Sequence, residues 1–133
     1  MGTKKDNTEN TTNKTKEKKM TMAEKKALFE EMLQVVETAI AEDTSIVVAM
    51  ISGGGMLQNK VKPIEIQRYD DRNMVEIMFD VADSLILNTK FKAANATKPN
   101  PSLISGIRKE YFSEDIYAYI LIYDFCSIRI YAP

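Results

Sequence analysis

Histidine is absent from the sequence, and cysteine occurs once, at position 126. Without histidine no side chain ordinarily titrates near neutral pH, so His-based catalytic triads, imidazole proton shuttles and His-ligated zinc or haem sites are excluded. A single cysteine excludes an intrachain disulfide and a four-cysteine zinc site. Cys126 lies inside an apolar segment, where an inert buried thiol is expected, because a reactive thiolate needs nearby positive charge and solvent access. Long apolar runs are missing as well. The first 19 residues, MGTKKDNTENTTNKTKEKK, hold no apolar residue after Met1 and therefore no signal-peptide core. The C-terminal run IYAYILIYDFCSIRIYAP is shorter than the ~20 residues a spanning helix needs, and Asp124 and Arg129 interrupt it. No membrane association is expected, and the expected location is the cytoplasm.

What is present suits one soluble domain. At 133 residues the chain can bury a core without metal or disulfide staples. A hydrophobic fraction of 44% beside a charged fraction of 28% fits a globular protein. The charge is unevenly spread: Lys4, Lys5, Lys14, Lys16, Lys18 and Lys19 outnumber the acids of the N-terminal segment, and the remainder is acidic. Residues 1–20, built of Lys, Thr and Asn, have nothing to bury and are expected to be a disordered basic tail. Residues 21–133 are expected to be a single α+β domain.

Order is expected to begin at Thr21. Thr21 and Glu24 have the spacing of a capping box, in which each side chain satisfies a backbone N–H left free at a helix start. The residues that follow put Leu28, Met32, Val35, Val36 and Ala39 on one stripe with Phe29, Leu33 and Ile40 beside it, which predicts a helix with a wide buried face. TSIVVAMIS then reads as a central strand, apolar on both faces. KPIEIQR reads as a second strand, paired with it in a hairpin whose loop includes Gly53–Gly55 and MLQNK. RNMVEIMFDVADSLILN alternates as a strand would, but its length and the shared polar face of Glu76, Asp80, Asp83 and Ser84 favour a second helix. Asn100-Pro101 has the chemistry of a short helix start.

The last two strands are predicted from IYAYILIYD and CSIRIY. Aliphatic Ile116, Ala118, Ile120 and Ile122 alternate with Tyr117, Tyr119, Leu121 and Tyr123. A two-residue turn at Asp124-Phe125 would place Arg129 opposite Ile120. A loop of odd length would instead keep one aliphatic face, and burial of that face favours the odd loop. Tyr117, Tyr119, Tyr123, Arg129 and Tyr131 would then form the second face. The predicted fold is α+β in the order α-β-β-α-(α)-β-β: about four strands in an antiparallel or mixed sheet, with two main helices on one face.

Three functional readings follow. Tyrosine and arginine are enriched at binding hot spots, so the face of Tyr117, Tyr119, Tyr123, Arg129 and Tyr131 points to a non-enzymatic protein-interaction module, self-associating or an accessory subunit of a larger assembly. The alternative is a nucleic-acid-associated protein whose tail lysines neutralise phosphates, which the acidic body disfavours. The third is a metal-dependent enzyme using carboxylates such as Glu76, Asp80 and Asp83, although such a run is usually the solvated side of a helix. SGGGMLQNK lacks the spacing of a phosphate-binding loop. No cofactor is indicated.

Overall fold

The computed structural model describes residues 20–93 and 95–133. The predicted tail, apart from Met20, lies outside the described residues. The helix, α1, spans Met22–Glu42. Its capping box is complete: the Glu24 N–H donates to Thr21 Oγ1 at 3.1 Å, and the Thr21 N–H donates to Glu24 Oε1 at 2.7 Å. Asp43 ends the helix in the left-handed conformation (φ 57°), which an aspartate tolerates better than most residues. Phe29, Met32, Leu33, Val36 and Ala39 are the buried side chains of α1.

Eight strands follow: β1 (Ile46–Ser52), β2 (Gly55–Val61), β3 (Pro63–Tyr69), β4 (Met74–Phe79), β5 (Ser84–Asn88), β6 (Gly106–Tyr111), β7 (Tyr117–Ile122) and β8 (Cys126–Tyr131). They build two antiparallel sheets, a large one in the order β2-β1-β8-β7-β6 and a small one in the order β3-β4-β5. The α+β class stands, with one helix among the described residues in place of two, and eight strands in place of four.

Three expectations are corrected. The partner of β1 in its hairpin is β2, not KPIEIQR. Gly53 and Gly54 make a two-residue turn, with Ser52 opposite Gly55, and MLQNK is strand rather than loop. Gly55 has φ 143°, a conformation that L side chains rarely adopt. The second predicted helix is a strand pair. Val75, Ile77 and Phe79 are buried at every other position of β4, as are Leu85 and Leu87 on β5. Residues 80–83 are the turn between them, so the polar helical face was a coincidence of Asp80 and Asp83 in the turn with Glu76 on β4 and Ser84 at the start of β5. The short helix at Asn100-Pro101 is a turn, in which Asn100 Oδ1 accepts from the Ser102 N–H at 3.0 Å. The chain soon enters β6, whose backbone is used in pairing with β7.

The main core gathers the α1 stripe, Val75, Ile77, Phe79, Leu85 and Leu87 of the small sheet, and Ile107, Tyr119, Leu121, Ile128 and Ile130 of the large one. The helix packs against β3 of the small sheet and β6 of the large sheet. Adjacent carboxylates tie it to both. Glu30 accepts two bonds from the Arg68 guanidinium on β3, at 2.7 and 3.0 Å, and Glu31 takes the Lys109 ammonium on β6 at 2.9 Å. No helix among the described residues is long and apolar enough to cross a membrane.

Candidate functional site

The turn between β7 and β8 decides where the predicted site residues go. Asp124-Phe125 is a two-residue turn, closed by the Tyr123 N–H donating to the Cys126 carbonyl at 2.8 Å. It pairs Ile120 with Arg129, and Tyr119 with Ile130, which is the register that the sequence reading set aside. The five residues therefore do not share a face. Tyr117, Tyr119 and Tyr123 look inward toward α1 and the small sheet with Ile128 and Ile130. Arg129 and Tyr131 look outward with Ala118 and Ile120.

The inward tyrosines have internal roles. Tyr119 is 1% exposed, and its hydroxyl donates to Glu31 Oε2 at 2.7 Å. Burial, then the bond to Glu31, holds its pKa well above the usual phenol range. The Lys109 ammonium shares the same carboxylate oxygen and sits 4.6 Å from the Tyr117 ring centroid, 5.3 Å from Tyr111 and 5.6 Å from Tyr119, within cation–π range of all three. The Tyr119 and Lys109 bonds together lower the Glu31 pKa. Tyr123 is buried with its hydroxyl unpaired, and burial pushes its pKa up to about 12.

The outward face is built differently. Its central row runs Gln58, Ala49, Arg129, Ile120, Arg108 from β2 to β6, and the next runs Lys60, Val47, Tyr131, Ala118, Glu110. Ala49, Ala118 and Ile120 are buried, yet none belongs to the main core. No helix or second sheet among the described residues packs over them, so their cover comes from neighbouring side chains. Phe112 packs against Tyr131 with ring centroids 5.8 Å apart. Arg129 bonds the Tyr131 hydroxyl at 3.4 Å, its Nε is buried with no acceptor, and it forms no ion pair among the described residues. The nearby Arg108 is paired with Glu110 at 3.4 Å.

One polar cluster went unread in the sequence. Asp124, at the hairpin turn, accepts from Ser105 Oγ at 2.7 Å, from Lys92 Nζ at 2.9 and 3.0 Å, and from the Asn100 N–H. These bonds, with that from Ser105 the strongest influence, lower its pKa to about 2. The cluster fastens the connection between β5 and β6 to the tip of the last hairpin. Its members are far apart in the chain and follow no spacing rule, so nothing in the sequence pointed toward it.

The remaining candidates are dispersed. Glu76 sits on β4, where it accepts from the Tyr69 hydroxyl at 3.0 Å, and Asp80 and Asp83 lie in the turn that follows. Among the described residues no group of three or more acidic or cysteine side chains could hold a metal ion. Lys4, Lys5, Lys14, Lys16, Lys18 and Lys19 lie outside the described residues. The fold thus defines an α+β protein in which one helix packs against two antiparallel sheets, with no further layer among the described residues over the outer face of the larger sheet. Compared with known proteins, the chain matches no family model, no curated protein and no solved structure.

Proposed function

We propose that this protein is a non-enzymatic interaction module and that its contact surface is the outer face of the large sheet, centred on Arg129. The supporting observation is the Arg129 guanidinium: half-buried at mid-sheet, its Nε has no acceptor. A buried donor left unpaired costs about 1–3 kcal/mol, more when the group is charged, and a carboxylate presented by a partner would satisfy it in a bidentate geometry once the side chain turns to bring that edge of the guanidinium to the surface. Ala49 and Ile120 stand directly across from it on the neighbouring strands, Val47, Ile51 and Ile122 lie at the diagonal positions, and Tyr131 is alongside. An arginine and a tyrosine amid apolar neighbours match the make-up of binding hot spots. Of the five residues predicted from sequence, Arg129 and Tyr131 keep this role, while the inward tyrosines support the face from behind.

The test is selection of peptides from a random display library against the full chain. Enriched sequences are expected to pair Asp or Glu with aliphatic or aromatic residues, and to lose binding to Arg129→Met. Their addition should move backbone amide resonances of β1, β8 and β7. Enrichment without acidic residues, or binding indifferent to Arg129→Met, would sink the proposal. Salt-steep binding of duplex DNA at this face would favour the nucleic-acid alternative in its place.

A further inference from the structure

The large sheet has two edges, and they are finished in opposite ways. The edge strand β6 carries Arg108, Lys109 and Glu110 in succession. All three are engaged in ion pairs, and charged residues at an edge discourage pairing with another strand. The other edge strand, β2, reads Gly-Met-Leu-Gln-Asn-Lys-Val and has one charge. Leu57 is 72% exposed and Met56 58%. Beside β2 opens a groove of about 390 Å³ between the two sheets, lined in part by Val48, Met50, Leu57, Val61, Phe79 and Val81. One side of β2 is bonded to β1, and its other side meets no strand among the described residues.

We infer that β2 is the self-association edge of this protein, and that its occupant is β2 of a second copy running antiparallel across a twofold axis. A strand edge offers alternating N–H and C=O groups, and another strand satisfies the whole row. Charge selects the second copy. With the axis at Gln58, each Lys60 lies opposite the second copy's Met56, along which its aliphatic stem can pack. The two Lys60 residues then stand four positions apart, about 14 Å, beyond the ~10 Å screening length of 0.1 M salt. A twofold at the middle of β6 would set Arg108 against Arg108, or Lys109 against Lys109, at about 5 Å. The same axis on β2 keeps inner faces aligned, so Leu57 meets the second copy's Asn59 at the mouth of the groove. The product is one continuous ten-stranded sheet with its Arg129 faces on the same side. This contact is separate from the proposed Arg129 surface and stands without it.

Sedimentation equilibrium on the full chain, at up to about 100 μM, tests the inference. Twice the chain mass is expected for the wild type. Leu57→Lys with Gln58→Lys places like charges at the axis on exposed positions, and should raise the dissociation constant at least about thirtyfold while circular dichroism stays native. Gln58→Cys in a Cys126→Ser background should cross-link between copies under mild oxidant, and Arg108→Cys should not. Arg129→Met should leave the dimer intact, which separates this contact from the proposed docking face. A wild type that remains monomeric at the highest concentration overturns the inference. So does a dimer indifferent to the lysine pair, or one that cross-links through position 108.

Discussion

The two faces of the β7–β8 hairpin are both well packed, but by different means. On the inner face Tyr119, Leu121, Tyr123, Ile128 and Ile130 join a core shared with the helix and the small sheet. On the outer face Ala118 and Ile120 are buried beside Arg129 and Tyr131, with no further layer of structure above among the described residues. The difference shows that apolar character does not choose the inside. The tyrosine side went in because α1 supplies Glu31 for the Tyr119 hydroxyl, and a phenol with a bonded hydroxyl can be buried like a large apolar group. The more aliphatic strand face went out because its residues are small or can lie beneath an arginine stem.

This contrast can be broken most sharply at Tyr119. Tyr119→Ala should cost about 3–5 kcal/mol in urea unfolding, since it empties the largest buried side chain of the inner face. A loss within about 0.5 kcal/mol, typical of surface positions, would mean that the inner face is not core. Ile120→Ala, directly behind on the outer face, should cost less, about 2 kcal/mol, because mobile neighbouring side chains can settle into the space. A cost equal to that of Tyr119→Ala would show that the outer face is as firmly packed as the inner.

A third effect appears only in acid, at the tip of the same hairpin. The folded state holds Asp124 at about 2 against an ordinary value of 3.8. Folding therefore favours the ionised form, and its stabilisation is complete above pH of about 4 and lost as the pH falls to about 2. Stability measured across that window should fall more steeply in wild type than in Asp124→Asn. Equal slopes would mean that the Ser105, Lys92 and Asn100 bonds do not form in solution. The smallest effect is expected for Arg129→Met, which keeps the packing stem and removes a donor that lacks an acceptor. Its unfolding free energy should not fall, because the loss of the long 3.4 Å bond to Tyr131 is set against relief of the unpaired Nε. A large loss would assign Arg129 a structural partner and remove the basis for a docking role.

The segments that were legible in the sequence are those whose local signals agree. Thr21 and Glu24 placed the helix start to the residue, and the buried α1 side chains follow the predicted stripe. β1, β3, β7 and β8 were each visible as β-branched or aromatic runs. Residues 72–88 misled because they fit two periods at once, and the buried alternation of Val75, Ile77 and Phe79 is decided by the partners β3 and β5 rather than by the segment itself. β2 and β6 were illegible for a related reason. Edge strands bury little, so Met-Leu-Gln-Asn-Lys and Arg-Lys-Glu carry no periodic signal, and pairing with β1 and β7 makes them strands.

By itself, then, the sequence determined the chemistry available and the local preferences: no imidazole, no disulfide, one well-capped helix and strong strand formers at both ends of the domain. Only the tertiary structure decided which face of those strands is inside. A strand's side chains alternate with a period of two, so one residue more or less in the Asp124-Phe125 turn exchanges the faces completely. Neither face of β7 is polar enough to forbid burial. The choice therefore passed to contacts distant in sequence, above all Tyr119 with Glu31 of the helix and Asp124 with Lys92, Asn100 and Ser105, which form in one register and are lost in the other.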